Sequence, residues 1–92
     1  MTGPAEIERT LKKYFRDGRL MVMPRTGVRR QAVLDHIVQL FEPGRRYNEI
    51  EVNRILRPVW ADVAALRRYL VDAALLDRKH GEYWRIGGPV DV

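Results

Sequence analysis

The sequence predicts a mainly α fold with a small β-hairpin, and three observations predict it. Apolar residues recur at helical spacing in four stretches, the third and fourth of these are short and joined by a tight connection, and an alternating run containing a glycine follows the last. Ile7, Leu11, Tyr14 and Phe15 fall at i, i+4, i+7 and i+8, so residues 4–15 read as an amphipathic helix with a basic opposite face. Pro4 stands near its first position, where a missing N–H costs nothing. Asp17-Gly18 breaks this helix, and Leu20 to Met23 reads as a short strand or extended arm closed by Pro24.

The helical period returns from Val28. Val33, Leu34, Ile37, Val38, Leu40 and Phe41 form a wide apolar stripe on a segment that ends at Glu42-Pro43-Gly44. After an extended Arg45-Arg46-Tyr47, Asn48 is placed to cap a new helix. Glu51 completes a capping box three residues on, and Tyr47 and Val52 occupy the staple positions. Val52, Ile55 and Leu56 give that helix its buried face, and Pro58 ends it near Arg57 because the residue before proline avoids helical backbone angles. Asp62 caps a fourth helix whose inner side is Val63, Leu66, Leu70, Ala73 and Ala74.

The run LLDRKHGEYWRIG then has hairpin composition, with Gly81 in the left-handed position of a three-residue loop. That register sets Leu76 opposite Trp84 and Arg78 opposite Glu82. Leu76, Trp84 and Ile86 would close the core while Asp77, Lys79 and Arg85 face water. Helix, short strand, two helices and hairpin, in this order, make a winged helix-turn-helix with an extra N-terminal helix. Residues 1–27 are an N-terminal helix and basic arm of the same domain, 28–86 the winged helix-turn-helix, and 87–92 a loose tail.

The chain of 92 residues has no Gly/Ser linker and makes one domain. At this size the fold buries roughly 60 to 68% of the unfolded surface, a thin core that leaves little room for a catalytic cleft. The absence of cysteine excludes disulfides, thiolate zinc sites and cysteine nucleophiles, and suits a reducing cytoplasm. No apolar run approaches the ~20 residues of a membrane helix, and MTGPAEIERT lacks a signal pattern. The expectation is a soluble, unprocessed cytoplasmic protein with no membrane partner.

The net charge is +5, and it is unevenly spread. Residues 1–30 carry eight basic side chains against three acidic ones, whereas residues 31–92 carry nine of each. The excess therefore sits in the N-terminal third, where a polyanion feels the strongest sequence-independent attraction. Fourteen of the 17 cations are arginine, whose planar fork suits phosphates and guanine edges, although a GC-rich genome would give the same bias.

In a helix-turn-helix the second helix of the pair enters the major groove by its N-terminal half. Here that helix begins ADVAALRRYL. Ala61, Ala64, Ala65, Arg68 and Asp72 lie away from its apolar side, with Arg67 at the boundary. Small residues at Ala61, Ala64 and Ala65 let a helix sit deep in a groove and touch thymine methyls, with Arg68 reaching guanine or a phosphate. Alanine is also simply the best helix former, and Arg67 has candidate carboxylate partners in Asp62, Glu49 and Glu51. Arg78, Lys79 and His80 stand at the wing tip, Arg45 and Arg46 lead into the third helix, and Arg29 and Arg30, with Arg25, form a basic arm at the start of the second. Each group suits phosphate contact and is equally ordinary as solvated surface.

The acidic residues Glu49, Glu51, Asp62 and Asp72 hold the helix pair nearly neutral. Groove readers are usually more positive, so the N-terminal third or a partner protein would supply much of the phosphate attraction. His36 and His80 are far apart, with His36 on the outer side of its helix, and no nucleophile motif, metal-ligand spacing or phosphate-binding glycine loop is present. The expectation is no enzyme, no cofactor and no metal. Double-stranded DNA is the expected partner, and the N-terminal helix offers a seam for a homodimer. The alternative is a protein-interaction module in which Ala61, Ala64 and Tyr69 meet a regulatory protein.

The residues Tyr47, Glu49, Glu51, Val52 and Asn53, then Asp62, Leu66, Arg67, Arg68, Leu70 and Asp72, then Arg78, Gly81, Tyr83 and Trp84 resemble a bacterial domain-of-unknown-function family. That family occurs alone or fused behind ArsR-type and other helix-turn-helix regulators. The resemblance spans Phe15 to Trp84, and RPVW at Arg57 to Trp60 is more apolar than the family pattern. It implies a winged-helix-like fold and a role linked to transcription, without a known ligand or operator.

Overall fold

Four helices, a two-stranded hairpin and a three-stranded antiparallel sheet pack around one apolar cluster. The fold is described by a computed structural model covering residues 4–89, so the final residues of the expected tail lie outside the described residues. The helices are α1 (Pro4–Tyr14), α2 (Gly27–Val38), α3 (Glu49–Leu56) and α4 (Val63–Asp72). The strands are β1 (Phe15–Arg16), β2 (Arg19–Leu20), β3 (Arg46–Asn48), β4 (Leu76–Lys79) and β5 (Glu82–Arg85). Two sheets make this an α/β chain, and the expectation of a mainly α fold with one hairpin is corrected accordingly.

The N-terminal third departs most from expectation. Asp17-Gly18 does more than end a helix: both residues take positive φ, 53° and 79°, the requirement of a two-residue primed turn. β1 and β2 pair across it, Phe15 with Leu20 and Arg16 with Arg19. The Leu20 N–H donates to the Val59 carbonyl at 2.9 Å, and the Leu20 side chain is 2% exposed within the central cluster. The segment expected as a strand or arm is thus anchored through Leu20 under the helices.

Helix α2 ends at Val38, four residues before the expected end. The Leu40 and Phe41 N–H groups donate to the Ile37 and Val38 carbonyls, tightening the last turn. This rotation buries Phe41 edge-on against Tyr47, with ring centroids 5.1 Å apart, and leaves Leu40 exposed although the helical stripe placed it inside. The Tyr47 hydroxyl accepts a hydrogen bond from the Glu42 N–H at 2.8 Å, fixing the turn through Pro43 and Gly44.

Helix α3 starts as its sequence requires. The Asn48 side chain accepts from the Glu51 N–H at 2.8 Å while the Glu51 carboxylate accepts from the Asn48 N–H at 3.0 Å, a complete capping box contributing about 1 kcal/mol. Asp62 caps α4 by accepting from the Ala65 N–H at 3.1 Å.

The C-terminal end of α4 is closed differently. The Leu75 N–H reaches the Leu70 carbonyl and the Ala74 N–H reaches the Val71 carbonyl, the two bonds of a Schellman motif, with Ala74 at φ 57° where glycine is usual. Ala74 is therefore exposed in the turn, not on the inner side of the helix as its spacing suggested. An L-residue in this conformation costs about 1 kcal/mol. Ala74→Gly is accordingly expected to raise stability by about 0.5 kcal/mol, after the greater freedom of glycine in the unfolded chain is offset, and urea unfolding midpoints check it.

The β4–β5 hairpin turns on two residues, not three. His80 and Gly81 both have positive φ, 53° and 78°, so Lys79 pairs with Glu82, Arg78 with Tyr83, Asp77 with Trp84 and Leu76 with Arg85. One residue fewer in the loop reverses the faces of β5. Tyr83 is the buried aromatic beside Leu76, whereas Trp84 is only half-buried and Ile86 is exposed, so the expectation that Trp84 and Ile86 close the core is corrected. β3 adds to the free edge of β5, giving the order β3-β5-β4 with Tyr47 opposite Tyr83. Arg85, expected in water, donates to the Phe41 carbonyl at 3.1 Å and the Gly87 carbonyl at 3.0 Å, and so ties the sheet to the end of α2.

Candidate nucleic-acid interface

Helix α4 has one buried side and one open side because Leu66 and Leu70, four apart, sink into the core. The 3.6-residue period then turns Ala64, Arg68 and Asp72 outward, and Ala61 is exposed just before the helix begins. Arg68 has no ion pair among the described residues.

Arg67, one position round the helix, is committed to structure. Its side chain is 18% exposed; one guanidinium nitrogen lies 3.1 Å from the Glu49 carboxylate and another donates to the Asn53 side-chain oxygen. Of the three carboxylates that the sequence offers it, Glu49 is the partner. Asp62 is used in capping α4, and Glu51 is shared between capping α3 and an ion pair with Arg45 at 3.5 Å. The bracket from Arg67 to Glu49 and Asn53 sets the angle between α3 and α4. Its worth lies in its two-point geometry, since an ion pair with an exposed carboxylate contributes little alone.

Between α4 and the sheet runs a cleft of about 300 Å³ lined by Ala64, Arg67, Arg68, Val71, Asp72, Arg78 and Tyr83. It continues toward the hairpin tip into a second hollow of about 190 Å³ lined by Glu49, Arg78, Lys79, His80, Gly81 and Tyr83. Arg78 and Tyr83 line both, so the exposed side of α4 and the tip of β4–β5 form one concave surface. Arg67, Arg68, Arg78 and Lys79 bring four cations to it against the carboxylates of Glu49 and Asp72. The surface is therefore moderately positive.

The remaining basic residues lie elsewhere. The Arg46 guanidinium stacks 4.2 Å above the ring of Trp84, its cross-strand neighbour, on the sheet face away from the core. Arg45 lies over Tyr47 at 4.8 Å. Arg30 on α2 stacks over Tyr69 of α4 at 4.3 Å and donates to the Pro24 carbonyl at 3.1 Å, so it links the N-terminal third to α4. Arg29 is exposed on α2. None of these four lines the concave surface.

Tyr83 was not expected at the site: it floors both hollows, and its inward face follows only from the two-residue loop. Glu49, one of the three carboxylates the sequence offers Arg67, is the one that pairs with it and also rims the second hollow. His36 packs edge-on against Phe15 at 4.9 Å and lines neither hollow, exposed as its helical position indicated. Among the described residues no group of three or more His, Cys, Asp or Glu side chains could hold a metal ion, and no helix is long and apolar enough to cross a membrane.

A family model described as an uncharacterized protein conserved in bacteria (DUF2087) matches residues 19–85, from β2 to the end of β5. α1 and β1 lie outside the matched region. No curated protein and no solved structure matches the chain.

Proposed function

The chain belongs to this uncharacterized bacterial family, and from that premise we propose that it is a winged helix-turn-helix domain that binds double-stranded DNA in transcriptional regulation. The element order α2–β3–α3–α4–β4–β5 and the sheet order β3-β5-β4 support the fold reading. The single observation that carries the function is the junction of exposed Ala64 and Arg68 on α4 with Arg78, Lys79 and His80 at the hairpin tip, on one concave surface, with Ala61 exposed just before the helix begins.

In this reading α4 enters the major groove. The alanines allow close approach to thymine methyls, Arg68 reads a guanine edge, and Arg78 and Lys79 hold phosphates. Arg67 positions α4 against α3 and contacts no base. The exposed cations Arg25 and Arg29 add long-range attraction.

Fluorescence anisotropy with a labelled random duplex tests the proposal. With about four to six phosphate contacts, log affinity against log salt should fall with a slope of roughly −4 to −5. No binding at low salt would remove the DNA reading. The second reading, a protein-interaction module, is favoured by one observation: Ile50 stands exposed on the first turn of α3, an apolar side chain that DNA phosphates would not use.

A further inference from the structure

We infer that the cleft between α4 and β4 binds the phosphate group of a small phosphate monoester, held by Arg68, Arg78 and the hydroxyl of Tyr83. This site lies on the concave surface proposed for DNA, but its occupancy requires no DNA. Tyr83 is 3% exposed, yet its hydroxyl has no hydrogen-bond partner among the described residues, whereas the hydroxyl of Tyr47, its neighbour on β3, accepts from the Glu42 N–H. A phenolic hydroxyl this far inside a protein usually has a partner. Among the described residues no sealed polar side-chain atom is left unpaired, so this hydroxyl is reached from the hollows that Tyr83 lines. It is an available donor at the floor of a charged cleft.

Arg78 stands directly opposite Tyr83 in the β4–β5 ladder, so the two side chains leave the sheet on one face as near neighbours. Arg68 reaches the cleft from α4, on the other wall. Neither arginine forms an ion pair among the described residues, although Asp72 lines the same cleft, and the charge of Arg67 is already met by Glu49. Two guanidinium forks and one hydroxyl thus line the cleft from α4, β4 and β5. Three donors on three walls match the three terminal oxygens of a tetrahedral phosphate, and not the two coplanar oxygens of a carboxylate. Two unpaired positive charges suit a monoester, which carries about −1.5 to −2 charge at neutral pH, better than a singly charged diester. Asp72 sets the upper limit, because it would repel a second phosphate. At about 300 Å³ the cleft lies at the lower end of ligand pockets, roughly 300–1,000 Å³, and the adjoining hollow of about 190 Å³ receives the organic group.

Nuclear magnetic resonance titration of the isotope-labelled chain with glycerol phosphate, at constant ionic strength and with no DNA present, tests this. The expected result is a saturable shift of the Arg78 and Tyr83 backbone amides. Affinity should fall at least tenfold in Arg78→Gln and about fivefold in Tyr83→Phe, the scale of one charge-assisted and one hydroxyl hydrogen bond. If either variant unfolds, Arg68→Gln decides, at an exposed side chain without an ion pair among the described residues and with the same loss as Arg78→Gln. Dimethyl phosphate, a diester like the DNA backbone, should bind at least tenfold more weakly than glycerol phosphate. Shifts that only track ionic strength, an affinity unchanged in Tyr83→Phe, or equal binding of dimethyl phosphate overturns the inference. A chain that binds glycerol phosphate but no duplex overturns the DNA reading alone, and one that binds duplex but no glycerol phosphate overturns this inference alone.

Discussion

Leu20→Ala is expected to lower the unfolding free energy by about 3 kcal/mol, within the usual 2–5 kcal/mol of a buried leucine truncation. Leu20 is 2% exposed, its neighbours are core side chains of the helices, and its N–H is bonded to the Val59 carbonyl at 2.9 Å. The strand it belongs to also receives the chain from α1, since the Met21 N–H donates to the Tyr14 carbonyl at 2.7 Å. The collapse of the cavity is resisted from both sides. A domain of this size has only about 5–15 kcal/mol of stability, so one methyl cluster accounts for a large share. Met21→Ala, at an exposed neighbour, should cost less than about 0.5 kcal/mol. Urea unfolding of both variants checks the pair. A cost at Leu20 no larger than that at Met21 would mean that the N-terminal third is an appended arm rather than part of the core.

That distinction was not legible in the sequence as read, although its signal was present. Asp-Gly is the strongest two-residue hairpin dipeptide, but flanking strands of two residues each are too short to show alternation. A dipeptide followed by Leu20 to Met23 reads equally well as a helix stop. Where the signal was local and redundant, the reading held. Asn48 and Glu51 satisfy each other across three residues, and Asp62 needs only the Ala65 N–H, so both helix starts follow from side-chain reach alone.

Errors came where one residue of register decides a whole face. Gly81 alone suggested a three-residue loop, whereas His80 also takes positive φ, a conformation that histidine visits more readily than β-branched residues do. That single residue exchanged Tyr83 for Trp84 in the core and so concealed the floor of the concave surface. Helix α2 was overextended for a related reason. Leu40 and Phe41 continue the apolar period, but only one of two adjacent side chains can face the core once the helix tightens after Val38, and the larger Phe41 takes the site.

The candidate surface was half visible. The outward set Ala61, Ala64 and Arg68 follows from the 3.6-residue period fixed by Leu66 and Leu70. Arg67 could be narrowed to three carboxylates and no further, because the choice of Glu49 depends on how α3 packs on α4. The meeting of Arg68 with Arg78 joins residues from separate elements across the α4–β4 boundary, and it required both the hairpin register and the turn at Ala74.

If the chain binds DNA as proposed, Arg68→Ala is the substitution with the largest expected effect. A bidentate arginine–guanine contact contributes about 1–3 kcal/mol of discrimination, so affinity for the preferred duplex should fall roughly ten- to a hundredfold. Affinity for random duplex should fall far less, by about the contribution of one lost charge. Lys79→Ala, at the hairpin tip, should weaken preferred and random duplex alike and reduce the salt slope by about one. Neither side chain is buried, and Arg68 holds no ion pair among the described residues, so the fold should be unchanged in both variants.

The most direct measurement is therefore anisotropy of wild type, Arg68→Ala and Lys79→Ala on two duplexes, one selected from a randomised pool by the wild-type protein and one of random sequence. Recognition through α4 predicts that Arg68→Ala brings the two affinities together while Lys79→Ala leaves their ratio intact. Equal losses on both duplexes for both variants would contradict it.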